Sequence, residues 1–519
     1  MAQAQQSEVK VEKYKFRANQ FQGRNSTSLT KDQRLINCYI ESIEPATLYS
    51  PGRVAIVKRP GVDQFYANTS GVGRGIWAFN DKIWHVIGDV LYKSGVAEGT
   101  VLTTTTGYVG SVGCTIAGIP ALFFCDGTKG YVINSSDVVT LITDVDFPTP
   151  HIPTPVYIDG YVLVARAASA DIYNSDLDAP TAWTASNFIT AELFPDIVTS
   201  LARQNNQVVA FGEKSTEFFY DAANPTGTPL SRNTGAFLQV GCASPYAVGQ
   251  NERFCIFVGQ SDSGGRTVWK LDGFQPEQIS TESIDRVLDA EGTSITSATS
   301  MLLRLLGHFF YVLHLSNRTF VYDIKEKLWH EWANATSNRF AVAQIDGTAG
   351  ADGITGNFVI NGLSQINGHY INKPAYISLG SINANFFYAQ AADLGDGRVF
   401  LLGGTNGTVG KFNETKYQDE NLNIYCQFTT PIIDFDTYQR KFLHQLTVVG
   451  DLSSSSALFI RWSDDDYQSY SSYKSLSRSS RPVFTRLGMF RRRNFDFAFF
   501  NDLPFRMEGL DLVYTTGET

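Results

Sequence analysis

The residues best suited to act on a partner lie near the C-terminus. Between positions 478 and 493 the chain carries Arg478, Arg481, Arg486, Arg491, Arg492 and Arg493, with no acid among them. A guanidinium presents a fork of donors that matches a carboxylate or a phosphate. The run therefore reads as an interface. An acidic protein surface is the favoured partner, because a DNA-gripping stripe would interleave with basic residues elsewhere in the chain. The competing reading is a solvated turn between two strands.

Other candidates are weaker. Ser463 to Tyr470 contains Asp464, Asp465 and Asp466, which suggests a Ca²⁺ loop, but the EF-hand pattern lacks its Gly at position six and its Glu at twelve. The segment is closer to a degraded Asp-box turn with Tyr467 in place of Gly, and it is read as a hairpin turn. Gly259 to Gly265 is not a nucleophile elbow, since Ser263 stands where Gly is needed. His308 and His314 share one face of a strand, but six residues span about 20 Å, too far to hold one metal. There is no GxxxxGK phosphate loop, no pair of carboxylates stands out for glycoside hydrolysis, and Trp329 and Trp332 read as sheet packing. No catalytic, cofactor-binding or metal-binding residue is assigned, and no cofactor is expected.

The scaffold follows from composition and repetition. A chain of 519 residues exceeds the roughly 250–300 that one core serves. With 36 Phe, 24 Tyr and 44 Gly the balance favours an all-β protein with many turns. An apolar pair, a Gly/Asn/Asp turn, a run of β-formers and a second short strand recur from positions 75, 114, 156, 201, 246, 301 and 392. The first five spacings lie near the ~40–50-residue period of propeller blades. Turn pairs such as Asn80-Asp81, Asp159-Gly160, Asn205-Asn206, Asp396-Gly397 and Asn406-Gly407 suit hairpins. One such sheet cannot bury both of its faces, whereas radial stacking can. The expectation is a β-propeller of about seven blades over residues 66–415, with an insertion near 338–383. A helix over Ser280 to Gly292, apolar at Ile284, Val287 and Leu288, links the fifth and sixth blades.

The ends differ from the repeat. Residues 416–519 contain long strands and read as a β-sandwich-like platform, which the strands of residues 1–65 join. The net charge of −9 argues against gripping DNA but suits the wall of a pore through which DNA slides. The six cysteines form no CxxC motif and read as reduced and mostly buried. The polar N-terminus gives no signal-peptide pattern, and no apolar run reaches the ~18 residues of a membrane span, so a soluble protein made in the cytoplasm is expected, without membrane insertion.

Several pieces, taken in order, carry a resemblance. They are the Arg-x-x-Asn strand (Arg34, Asn37), the Lys58–Gly61 turn, the Gly73–Gly75 opening, the Glu213–Asp221 segment, the 280–292 helix, and the C-terminal runs from Arg461 and from Val483. Together they resemble the tail-hub, or nozzle, proteins of short-tailed bacteriophages, also called packaged-DNA stabilisation proteins. The resemblance covers most of the chain outside 338–383. It implies a propeller plus β platform in the virion tail. It further implies a homo-oligomeric ring, a hexamer, below the portal and its head-to-tail adaptor. That ring seats the tail needle, spikes or fibres, and double-stranded DNA passes through its lumen without sequence-specific binding. It implies no enzymatic activity. The alternatives are a carbohydrate-binding or glycosidase-type propeller, which would have an acidic and aromatic central pocket, and a peptide-binding scaffold propeller, which the large C-terminal domain disfavours.

Overall fold

The computed structural model describes residues 11–17, 34–44, 53–66, 71–261, 264–333, 359–360, 363–364, 388–393, 399–403, 407–452, 457–477 and 482–517. They fall into two compact units. One comprises Met1–Asp63, Leu328–Ala384 and Asn413–Thr519, and the other Gln64–Lys327 and Asn385–Phe412.

The second unit is a ring of seven sheets, one for each sequence repeat. Blade 1 runs outward from Gly73–Phe79 through Lys82–Ile87 and Val90–Lys93 to Val96–Val101. Blades 2, 3 and 4 are four-stranded in the same way, with inner strands Gly110–Ile116, Val156–Ile158 and Val198–Gln204. In blade 5 both Gly241–Cys242 and Val248–Gln250 pair with Phe254–Gln260. Blade 6 contributes Thr299–Leu305, His308–His314 and Thr319–Asp323, and blade 7 is built on Tyr388–Asp393 and Val399–Gly403.

Tight antiparallel turns set the registers. Asn80 and Asp81 both have positive φ (50° and 55°), as do Asp159 and Gly160 (45° and 96°), which matches the twist of the strands they join. The Asp396-Gly397 pair and Asn406 lie outside the described residues. Second strands such as Ala121 to Cys125 and Val208 to Gly212 are buried at every position, because each blade is covered on both faces by its neighbours. Trp77, Trp84, Val109 and Phe124 fill the seam between blades 1 and 2, and Phe123, Phe147, Val164 and Trp183 that between 2 and 3.

Glycine marks the places where inner strands approach a neighbouring blade. A Cβ on Gly110 would stand 1.9 Å from the Pro153 carbonyl oxygen, and one on Gly73 would stand 2.2 Å from that of Gly403. Blade 7 closes on blade 1 through Ile76, Ile83, Phe400 and Leu402, with the Gln390 side chain donating to the Arg74 carbonyl at 2.9 Å. The helix is Glu282–Ala290, between blades 5 and 6, and it buries Ile284, Val287 and Leu288.

The first unit is a platform of two sheets around one core. One sheet joins Val11–Arg17, Cys38–Glu44, Arg53–Lys58, Phe505–Thr516 and Lys441–Leu452, with the short strands Val483–Thr485 and Met489–Phe490 at its edge. The other runs through Leu328–Trp332, Leu35–Ile36, Tyr425–Thr429, Asn494–Phe500, Ala457–Ser463 and Lys474–Ser477. Phe428, Leu446, Val448, Ile460, Phe497 and Leu510 are among the side chains between them. Leu328–Trp332 is grouped with this unit. Its Glu331 pairs in parallel with Ile36, almost 300 residues earlier in the chain. Of the segment 338–383, only the pairing of Val359–Ile360 with Leu363–Ser364 lies within the described residues.

Candidate interaction surfaces

The residues that carry the resemblance hold the platform together from inside. Asn37 takes a left-handed conformation (φ 55°), and its side chain is used at both ends. The amide donates to the Tyr425 carbonyl at 2.8 Å, and its oxygen accepts from Arg59 Nε at 2.8 Å and from the Ala333 N–H at 2.9 Å. Arg59 is fully buried and donates both terminal nitrogens to Asp419, at 2.9 and 2.5 Å. Arg34 grips Glu331 in the same bidentate way, at 2.7 and 2.5 Å. Burial lowers the neighbouring Lys58 ammonium to about 8, and it donates to the Asn501 carbonyl. A buried charge is tolerated only when paired and hydrogen-bonded, so these motifs are internal joints. In the propeller, the Glu217 carboxylate of the Glu213–Asp221 segment accepts from Arg232 and from the Leu193 N–H, each at 2.8 Å.

The C-terminal run divides into an internal part and an exposed part. Asp496 is buried. It accepts from Gln427, Thr429, Arg461 and Tyr473, and the Arg461 guanidinium stacks 4.3 Å from the centre of the Tyr470 ring. Arg493 does not belong to a surface. It is 1% exposed and donates to both oxygens of Asp464 (2.6 and 2.7 Å) and to the Leu487 carbonyl. Its guanidinium lies 4.4 Å from the Phe490 ring centre. Arg492 is exposed and pairs with Asp466 at 3.5 Å. Arg486 and Arg491 are exposed, while Arg478 and Arg481 lie outside the described residues. Replacing Arg493 by Ala is expected to destabilise the platform by about 2 kcal/mol. Arg491→Ala should stay within about 0.5 kcal/mol of wild type in the same urea titration.

The Asp464–Asp466 segment is a turn. Asp465 accepts from Ser469 Oγ, the Ser469 N–H and Ser463 Oγ, and these hydrogen bonds hold its carboxyl down at about 2. Tyr467 has φ 68° where an Asp-box has Gly, and its buried hydroxyl donates to the Thr430 carbonyl.

His308 and His314 are both buried. The first bonds Asp323 at 2.6 Å and the second Thr319 at 3.1 Å, each within its blade. Among the described residues no group of three His, Cys, Asp or Glu side chains could hold a metal ion. Trp332 is buried, with the Arg59 guanidinium 5.9 Å from its ring centre. All six cysteines are free and buried, and desolvation pushes the Cys114 and Cys242 thiols to about 12.

Two further histidines give the propeller a pH dependence. Desolvation lowers both His85 and His151 from 6.5 to about 4. The fold thus favours their neutral forms, while the unfolded chain takes up protons below 6.5. Their contribution is complete above pH 6.5 and is lost as the pH falls toward 4. In urea titrations at pH 7, 5.5 and 4.5 the midpoint is expected to fall. The fall should shrink in His85→Phe/His151→Asn, which has neither titrating ring.

A feature with no local sequence signal lies on the propeller axis. Tyr108 precedes the inner strand of blade 2, and Tyr246 precedes Val248–Gln250 of blade 5. Their rings stack 4.7 Å apart at 20°. Blades 2 and 5 are separated by at least two others either way around the ring, so the two rings can meet only across the axis. Arg74 is almost fully buried. It ties the loop before blade 2 in place by donating to the Thr104 and Gly107 carbonyls at 2.5 and 2.7 Å. Burial raises the Tyr108 hydroxyl to about 12, so the stack stays uncharged. Two of the protein's own aromatic rings thus stand across the axis that a ligand-binding propeller would use.

The propeller carries two tyrosines stacked across its axis, and the platform is braced by internal ion pairs. The family model described as Bacteriophage P22 Gp10, beta-propeller, matches residues 43–344. That is more than half of the chain, and the chain belongs to this family of phage tail-hub, or nozzle, proteins. No curated protein matches it. Among solved structures the chain is similar to a streptogramin B lyase, at 8% identity and TM-score 0.39, over 68% of this chain and 98% of that one. It is similar to a catalytically inactive virginiamycin B lyase from Staphylococcus aureus with quinupristin, at 8% identity and TM-score 0.39, over 67% and 98%. It is also similar to a puromycin-hydrolyzing peptidase of Mycobacterium tuberculosis, at 9% identity and TM-score 0.33, over 72% and 61%. None of these three likenesses bears on function.

Proposed function

We propose that this chain is a structural subunit of a phage tail hub and not an enzyme. Copies form a closed ring below the portal and its adaptor, retain the packaged DNA, and surround the conduit through which it leaves. Membership of the tail-hub family is the observation that carries this reading. The Tyr108–Tyr246 stack supports one detail of it: with the axis of each propeller crossed by these rings, the conduit runs between copies rather than through any one of them. The net charge of −9 suits a wall past which DNA slides without adhering. Ring copies, adaptor, and needle, spike or fibre would meet the subunit through exposed aromatic and arginine side chains, which interfaces favour.

The test uses filled heads that carry portal and adaptor but lack this protein. Their DNA should leak and become sensitive to nuclease, and adding the purified chain should restore protection. Heads that hold their DNA equally well without it would refute the retention role.

A further inference from the structure

The exposed arginines of the C-terminal run share a sheet edge with apolar side chains. Met489 pairs directly with Phe442 across the edge of the seven-stranded platform sheet, and the two are 43% and 46% exposed. Tyr438 is 79% exposed, and its carbonyl accepts from the Arg491 guanidinium at 2.6 Å. Arg486 lies in the turn between the short strands Val483–Thr485 and Met489–Phe490, again exposed. Both strands pair with Lys441–Leu452 on one side and, among the described residues, with no strand on the other. An open sheet edge bearing Tyr, Phe, Met and Arg has the composition of an interface core.

A complementary surface lies on the propeller unit, whose net charge is −10, while the platform unit carries +1. On blades 2 and 3, Ile119 and Leu177 are 54% and 59% exposed, on turns joined by the Ala117 N–H to the Asp178 carbonyl at 3.0 Å. Acids surround them. Asp176 and Asp178 flank Leu177, and burial first, then the charges of Asp221, Asp176 and Asp178, push the Tyr161 hydroxyl upward. Asp159 stands on the adjoining turn, where it accepts from the Asn206 amide at 3.2 Å.

We infer that these two patches are the two halves of one contact: the arginine edge of the platform in one copy docks on the acid-rimmed Ile119–Leu177 surface of the propeller in the next copy. Arginines meet carboxylates and aromatic rings meet aliphatic side chains, whereas either patch set against itself would oppose like charges. Because the two halves differ, the contact is heterologous, and its repetition generates a ring where the rotation from copy to copy closes. This inference rests on the ring reading above and names the surfaces that close the ring.

The test compares full-length variants by native mass spectrometry over a concentration series, with thermal unfolding to check that each is folded. Arg486→Glu/Arg491→Glu reverses the platform patch, and Ile119→Lys/Leu177→Lys reverses the propeller patch. Each should weaken ring formation by about 100-fold or more. Mixed in equal amounts, the two should form alternating rings, because each retains the half the other lacks and the two reversed halves complement each other. All four changes in one chain should restore the ring. As a check independent of charge reversal, Phe442→Cys mixed with Leu177→Cys should give a disulfide-linked dimer on oxidation, since the native thiols are buried. Rings that form normally from both double variants would overturn this contact and leave the ring reading intact. A wild-type chain that stays monomeric at every concentration would overturn both.

Discussion

Asp419→Ala is expected to cost the platform about 3–5 kcal/mol, the cost of leaving a buried cation without its counter-charge. Arg59 has no route to water: its side chain is fully buried, and both terminal nitrogens point at Asp419. The damage should spread, because Arg59 also orients Asn37, which in turn fixes the Tyr425 and Ala333 backbones. Hydrogen exchange in peptides covering Leu35–Ile36 and Tyr425–Thr429 should therefore accelerate, while exchange in blades 2 to 4 should stay as in wild type. Asp419→Asn retains one acceptor and should lose less. If Asp419→Ala unfolds in denaturant like wild type, the internal joint assigned to the Lys58–Gly61 turn is wrong.

The second large effect is at the seam between blades 2 and 3. Gly110→Ala places a methyl group 1.9 Å from the Pro153 carbonyl oxygen, and no rotamer can relieve a clash between backbone and Cβ. Blade 3 must move outward, at about 3 kcal/mol, the upper end of the usual overpacking penalty. The internal control is Gly113 on the same strand, where a Cβ would meet nothing within 4 Å. There Ala only restricts the unfolded chain, and Gly113→Ala should be neutral or stabilising by up to about 1 kcal/mol. Opposite signs for two Gly→Ala changes three residues apart, read from thermal unfolding, are the expected outcome. Equal effects would mean that the blades do not approach as closely as described.

The propeller was legible in the sequence because its information is local. A blade is a run of hairpins, and Asn80-Asp81 or Asp159-Gly160 announces its turn within two residues. What the sequence concealed depends on distant pairing. Leu328–Trp332 has the same alternation as any outer strand, and nothing in it announces the parallel pairing of Glu331 with Ile36. The six arginines looked like one surface, yet Arg493 turns inward because Asp464, in a turn 29 residues earlier, receives it bidentately. Tyr108 and Tyr246 carry no joint signal, since they meet only when blades 2 and 5 face each other across the ring. The Lys58–Gly61 turn, weak as a sequence motif, proved to be the centre of a buried network once Asn37 and Asp419 were brought to it.

In the proposed function this protein works by docking, with DNA passing between copies and never through a propeller. Electron microscopy of the assembled hub on its adaptor, with DNA in place, tests that most directly. The expected map shows a closed ring of this chain, duplex density in the lumen between subunits, and each propeller axis crossed by the Tyr108–Tyr246 stack. A map with nucleic acid or a glycan threaded along a propeller axis, or with the chain attached as an isolated monomer, would contradict it.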